Sequence, residues 1–167
     1  HGKCATLDSS ADGYARAEAC CAISLSAITL RSKTVDGSAV RQDGRSASLT
    51  APNGISQTNL LSASLEDADL DPQSLNIQEL HGTGTALGDP IEVNAISRAW
   101  LNFRESLLTI TGVKACIGHA EPAAGGVGLV RLLVYMTIRS SAANARLRAL
   151  NRHISSALNS FRATLSM

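Results

Sequence analysis

Aromatic side chains are nearly missing from this 167-residue chain: one Trp, two Tyr and two Phe make up 3% of it. A core without rings must be assembled from Ala, Leu, Ile and Val, and an apolar share of 44% is enough to build one. Much Ala and Gly with few aromatics suits helices packed closely on a sheet. Charge of one sign is also lacking. Fifteen Lys and Arg stand against 14 Asp and Glu, a net +1, so no electrostatic footprint for nucleic acid or a membrane surface is present. Arg is only mildly concentrated, from Arg139 to Arg162. Cysteine is limited to Cys4, Cys20, Cys21 and Cys116, with no C-x-x-C pair and no histidines placed to complete a zinc site. A disulfide framework is not expected in a chain with a substantial core, and the four read as reduced thiols of an intracellular protein. The longest apolar run, Ala123 to Ile138, contains Arg131 and is too short to span a bilayer. No signal peptide is expected. The chain begins at His1 rather than Met, inside sequence that reads as ordered, which suggests a piece of something longer.

Hydrophobic spacing supplies the elements. An apolar run from Ala19 predicts a buried strand at Cys20 to Ser26, and Thr34 to Val40 a second one. Gln42 to Gly54 reads as a long loop, rich in turn residues. Leu60, Leu61, Leu65 and Ala68 have helical spacing within Ser56 to Ala68, and Asp71-Pro72 ends that helix. Leu75 to Leu80 alternates as a strand and leads into a Gly-rich turn, His81 to Gly88. Asp89 then reads as an N-cap, Pro90 as the first helical residue and Glu92 as the partner of a capping box. Ile91, Ala95, Ile96 and Ala99 form the apolar face. Leu107 to Val113 predicts a strand, Gly112 to His119 a turn, and Glu121 to Ile138 a long apolar helix broken by Arg139 to Asn144. Alternating strands and helices with short turns indicate an α/β layered domain, in which active groups tend to sit on loops at strand ends.

Two such loops carry a histidine. In LHGTGT, residues 80–85, His81 directly follows a strand, two glycines let backbone approach a ligand, and Thr83 and Thr85 supply hydroxyls. On composition alone, a glycine turn with a partly buried structural histidine is an equal reading. A phosphate loop fits less well, because the spacing is neither G-x-G-x-x-G nor the Walker pattern. The second loop, VKACIGHAE, residues 113–121, places His119 between Lys114 and Glu121. A nearby ammonium disfavours imidazolium and a carboxylate favours it. A neutral imidazole of fixed tautomer suits a hydrogen-bond donor to an oxyanion, whereas a structural histidine beside a surface ion pair is the plainer reading. Finding both turns in one chain weighs against the plainer reading of each. The polar loop Asp8 to Glu18 is assigned no chemistry, and the glycines of Gly125-Gly126-x-Gly128 are attributed to tight helix packing.

The stretches CATLDSSADGYARAEAC, GSAVRQDGRSASLTAPNG, ELHGTGTALGDPIEV and VKACIGHAEPAAGGVGL, in this order, resemble the β-ketoacyl synthases of the modular polyketide type, and cover most of residues 4 to 134. A weaker match continues through NARLRALNRHI. The resemblance implies the thiolase-like fold, here partial: residues 1–30 as the tail of the N-terminal half and 31–167 as most of the C-terminal half. It implies decarboxylative Claisen condensation of an acyl thioester with a malonyl-type extender, in polyketide or fatty-acid biosynthesis. His81 and His119 match the family's two catalytic histidines, Lys114 and Glu121 its supporting residues, and Thr83 and Thr85 the threonines that hydrogen-bond the phosphopantetheine arm. The resemblance further implies no metal and no bound organic cofactor, the arm being supplied by an acyl carrier protein. Acyl and malonyl thioesters would be the substrates and a homodimer the full-length state, in the cytoplasm or a plastid.

The family's nucleophilic Cys motif does not occur in this sequence, and neither does its C-terminal Gly-Phe-Gly loop. Cys4 matches a non-nucleophilic position and Cys116 stands where the family has Asn. Ala17 and Ala19 stand where it has glycines. The implied reading is an enzyme segment inactive by itself. The alternatives are a non-catalytic module that binds a carrier protein or pairs with a synthase, and a decarboxylase that uses the two histidines alone.

Overall fold

The computed structural model describes residues 2–27, 33–46, 48, 51–140, 142–159 and 163–165. The first helix, α1 (Gly54–Asp67), begins two residues earlier than its apolar spacing predicts. Asn53, read as a turn residue, is its cap: Oδ1 accepts from the N–H groups of Ile55 at 3.0 Å and Ser56 at 3.2 Å. Strand β1 (Ile77–Glu79), helix α2 (Gly88–Ala99) and strand β2 (Leu108–Thr111) follow where the alternation and the helical period put them. The turn after β2 contains one unforeseen helical turn, α3 (Lys114–Ile117). Glu121–Ala123 forms a single 3₁₀ turn with Pro122 at its start, and α4 (Ala124–Ile138) continues from it. The break after α4 falls at Arg139, as expected, in a left-handed conformation. Helix α5 (Arg152–Asn159) and strand β3 (Ala163–Leu165) are the last elements among the described residues.

The three strands lie parallel in the order β1-β2-β3, with Ile77 opposite Thr109 and Leu108 opposite Ala163. Parallel neighbours require crossovers, and helices fill both of them here. Helix α2 packs against α1 and α5. Leu80, Val93, Ile96, Leu108, Ile110 and Ile154 close the core between these helices and the sheet, each contributing about 1.5–3 kcal/mol of burial. Leu7, from the N-terminal loop, is buried in the same cluster.

Two strand expectations fail. Residues 20–26 and 34–40 are not strands, and their apolar side chains are largely solvent-facing, with Leu25 79% and Val40 92% exposed. A strand needs a lateral partner for its N–H and C=O groups, and no strand pairs with either segment among the described residues. The last residues of the first apolar run, 28–30, lie outside the described residues. Cys21 instead lies against α4: a Cβ on Gly126 would sit 3.1 Å from the Cβ of Cys21. Only Gly126 has this neighbour: a Cβ on Gly128 would meet the Glu79 side chain at 3.4 Å, and one on Gly125 would meet nothing within 4 Å, so tight helix packing does not account for the three glycines. Along α4 only Ala124 is buried, and Val134, Met136 and Ile138 face outward. Neither Ala17 nor Ala19 has a positive φ, so both alanines fit where the family has glycines.

Candidate active site

The ends of β1 and β2 point the same way in a parallel sheet, and each delivers a histidine to that end. The His81 and His119 rings stand 5.3 Å apart, centroid to centroid, and nearly perpendicular at 85°. The sheet therefore brings together the two residues that the sequence places on separate loops.

The residues read as a helix start are used differently. Helix α2 opens at Gly88, and its cap position carries no side-chain hydrogen bond. Asp89 is buried, and its carboxylate accepts from the N–H groups of Leu7 at 2.8 Å and Gly84 at 3.0 Å. The Glu92 carboxylate accepts from the N–H groups of His81 at 2.5 Å and Gly82 at 2.8 Å. Helix α2 thus turns two acids back onto the loop that precedes it, and holds the backbone of residues 81–84. Gly84 has φ +79°, and a Cβ there would lie 2.6 Å from the Ala5 nitrogen, so only glycine fits. Burial is the largest influence on Glu92 and lifts its carboxyl to about 7, against the opposing pull of the Gly82 and His81 N–H groups. Burial likewise raises Asp89 above the usual carboxylate range.

The loop at residues 8–18, assigned no chemistry, is the frame between the two histidine turns. Gly13 N–H donates to Gly84 O at 3.0 Å, and Thr6 Oγ1 donates to Gly82 O at 2.6 Å. On the other side, His119 N–H donates to Ala15 O at 2.8 Å, and Ala17 N–H to His119 O at 2.9 Å. The Tyr14 ring lies 4.9 Å from the His119 ring. Sequence reading missed Tyr14, Asp89 and Glu92 as site residues. The signal for Asp89 and Glu92 was a pair of acids one helical turn apart directly after a glycine loop; Tyr14 carried none.

His119 is only 9% exposed. Its Nδ1 accepts the Glu121 N–H at 2.9 Å, which puts the proton of the neutral ring on Nε2. The Glu121 carboxylate itself turns away, to Arg16 at 3.2 Å, so Glu121 supports the histidine through its backbone. Lys114 is buried, and its ammonium makes no hydrogen bond or ion pair among the described residues. Burial, then the Lys114 charge, lowers the His119 pKa, while Glu121 opposes both. His81 is exposed to solvent, yet enough protein surrounds its ring that desolvation, followed by the charges of Lys114 and His119, brings its pKa down to about 4. Both rings are therefore neutral at pH 7. A depressed histidine pKa means that the unfolded chain binds more protons, so this contribution to stability is complete above pH 6.5 and is lost as pH falls through about 4. The His81 ring resonances followed by NMR should titrate with a midpoint near 4; a midpoint at or above 6 would mean that the ring is solvated.

His81, Thr83 and Thr85 line one cavity of about 430 Å³, together with Gln57, Leu60 and Leu61 of α1. The two threonine hydroxyls stand 3.3 Å apart, and Thr85 Oγ1 accepts the Gly88 N–H at 3.0 Å. Thr83 Oγ1 therefore retains capacity for a ligand in a largely apolar slot. His119 stands beside this cavity and is not part of its wall. The four cysteines are free: Cys4 is buried, and Cys20, Cys21 and Cys116 are exposed. Among the described residues, no group of three or more His, Cys, Asp or Glu is arranged to hold a metal ion, and no helix is long and apolar enough to cross a membrane.

The family model described as the β-ketoacyl synthase C-terminal domain matches residues 33–148. A phenolphthiocerol/phthiocerol polyketide synthase polypeptide of Mycobacterium tuberculosis (strain CDC 1551 / Oshkosh) is 37% identical over 143 residues, 80% of this chain and 8% of the relative. The orsellinic acid synthase ArmB of Armillaria ostoyae is 38% identical over 162 residues, 92% of this chain and 7% of the relative. Among solved structures, the oxazolomycin ketosynthase domain OzmH KS7 of Streptomyces albus JA3453 superposes with a TM-score of 0.83 at 27% identity, over 99% of this chain and 30% of that one. The ketosynthase from module 6 of the bacillaene synthase of Bacillus subtilis 168 gives 0.83 at 26% identity, over 98% of this chain and 30% of that one.

Proposed function

The chain belongs to the β-ketoacyl synthase family, matching its C-terminal domain, and on that footing we propose that it supplies the two-histidine side of a decarboxylative condensing site in polyketide assembly. The observation that carries this is the pair of neutral imidazoles 5.3 Å apart, beside a slot that holds two threonine hydroxyls. When a malonyl thioester loses CO2, the electron pair of the breaking C–C bond moves into an enolate, and negative charge gathers on the thioester oxygen. Fixed N–H donors facing that oxygen lower the barrier, because they act where charge develops and need no reorganisation. His119, with its proton on Nε2, is one such donor and His81 is the second. The enolate carbon then attacks an acyl thioester, forms the new C–C bond and expels the thiolate. Thr83 and Thr85 hold the phosphopantetheine arm, which an acyl carrier protein brings with the malonyl group, so that no resident cofactor is required. Burial first, and the charge of Lys114 after it, disfavour protonation of both rings.

In this reading residues 1–30 are the tail of the family's N-terminal half and 31–167 belong to its C-terminal half. The acyl-bearing cysteine comes from polypeptide other than these residues, the complete enzyme is a homodimer, and it works inside the cell, in the cytoplasm or a plastid, where its thiols stay reduced. A second reading, a non-catalytic module that pairs with a synthase, draws on the outward-facing apolar side chains of α4. Incubation with an acyl-carrier protein or an acyl thioester mimic tests the proposal. The mass of the chain should remain unchanged, because Cys4 is buried and none of the other three cysteines lines the histidine cavity. A stable acyl adduct on any of the four would overturn it. Release of CO2 from malonyl-carrier protein by the chain alone would instead identify a decarboxylase that needs no acyl partner.

A further inference from the structure

A second cavity, of about 190 Å³, shares no lining residue with the histidine slot. Lys3, Arg16, Lys114 and Arg146 all line it, and no carboxylate does. Its volume is roughly that of six waters. Arg16 is held at the rim by Glu121, 3.2 Å away. Neither Lys3 nor Arg146 is ion-paired among the described residues, and the Lys114 residue is only 4% exposed. An ammonium carries three donors and no acceptor. A cleft lined by one sign of charge concentrates counter-ions. Glu92, Glu79 and Asp89 act on Lys114 only through space, and each is occupied elsewhere, with loop N–H groups or, for Glu79, with Arg131 at 3.2 Å.

We propose that this cleft is an anion site for a small oxyanion of the phosphate class, with Lys114 as its buried contact and Lys3 and Arg146 at its mouth. The site does not depend on the condensation reading. Burial holds the Lys114 pKa below its ordinary value, and a bound anion would favour the ammonium form that burial opposes. It would also offset the positive field that Lys114 exerts on His81 and His119.

The test is the binding of inorganic phosphate, followed by ³¹P NMR and by thermal shift, against sodium chloride at matched ionic strength. Phosphate should bind saturably and raise the melting temperature, with sodium chloride as the unshifted control. K3A and R146A change partly or fully exposed side chains and should keep the native circular dichroism. Each should weaken phosphate roughly two- to five-fold, the scale of an exposed ion pair. K114M should weaken it more than about ten-fold; if that variant fails to fold, the other two decide. Glycerol 3-phosphate separates two sources of the anion: if it binds as well as phosphate, the natural ligand is a phosphate group on a larger molecule, and if it is excluded, the natural ligand is the free ion. No saturable binding by the native chain, or equal binding in K3A, R146A and native protein, would overturn the assignment.

Discussion

Replacing His119 with alanine is expected to slow condensation about 100- to 1,000-fold in a synthase that contains these residues, while acylation of its nucleophilic cysteine survives. The figure is the typical loss for one preorganised donor at a developing oxyanion. His119 qualifies because each atom that fixes it is in place: Glu121 N–H on Nδ1 at 2.9 Å, Ala15 O on its own N–H at 2.8 Å, and the Tyr14 ring at 4.9 Å. The loss should fall on kcat for the malonyl step, since an interaction made only in the transition state leaves KM unchanged. His119→Asn keeps a side-chain N–H and should recover part of the rate. Single-turnover assays on pre-acylated enzyme read the step directly. If condensation by the alanine variant stays within ten-fold of native, His119 is not the donor.

The second large effect concerns stability. Asp89→Ala should lower the unfolding free energy by about 3–5 kcal/mol and the melting temperature by roughly 6–20 °C. The change leaves the N–H groups of Leu7 and Gly84, 2.8 and 3.0 Å from the carboxylate, buried without an acceptor. Each such orphan costs ~1–3 kcal/mol. Part of this is offset, because burial already opposes ionisation of Asp89 and raises its pKa. A raised carboxyl pKa makes the native form bind more protons, so its contribution falls as pH rises through the folded value. The native-minus-variant difference should therefore shrink, not grow, as pH is raised from the ordinary carboxylate range. A melting temperature within about 2 °C of native would show that the loop holds itself without this acid.

The helices α1, α2 and α4 and the strands β1 and β2 were legible because their apolar spacing has a definite period and their ends carry turn residues. The runs at 20–26 and 34–40 were misread for a physical reason: a short apolar run indicates a strand only if another strand pairs with it, and periodicity says nothing about pairing. Asp89 and Glu92 were legible as important but not in role. The residue types that cap a helix also clamp a neighbouring loop, since both tasks consist of accepting backbone N–H bonds. Helix α5 was invisible because, among its described side chains, only Ile154 and Leu158 are deeply buried. Both histidines were visible as strand-end residues. Their 5.3 Å separation was not, because it depends on β1 and β2 being parallel neighbours.

The grip on His119 is made of peptide groups: Ala15 O and Ala17 N–H on one side, Glu121 N–H on the other. Carbonyls and amides are the same in every amino acid except proline. The side chains at 15 and 17 can therefore drift over evolutionary time without moving the imidazole. Distant members of this lineage can share an unchanged reaction geometry while the letters that cradle it no longer align.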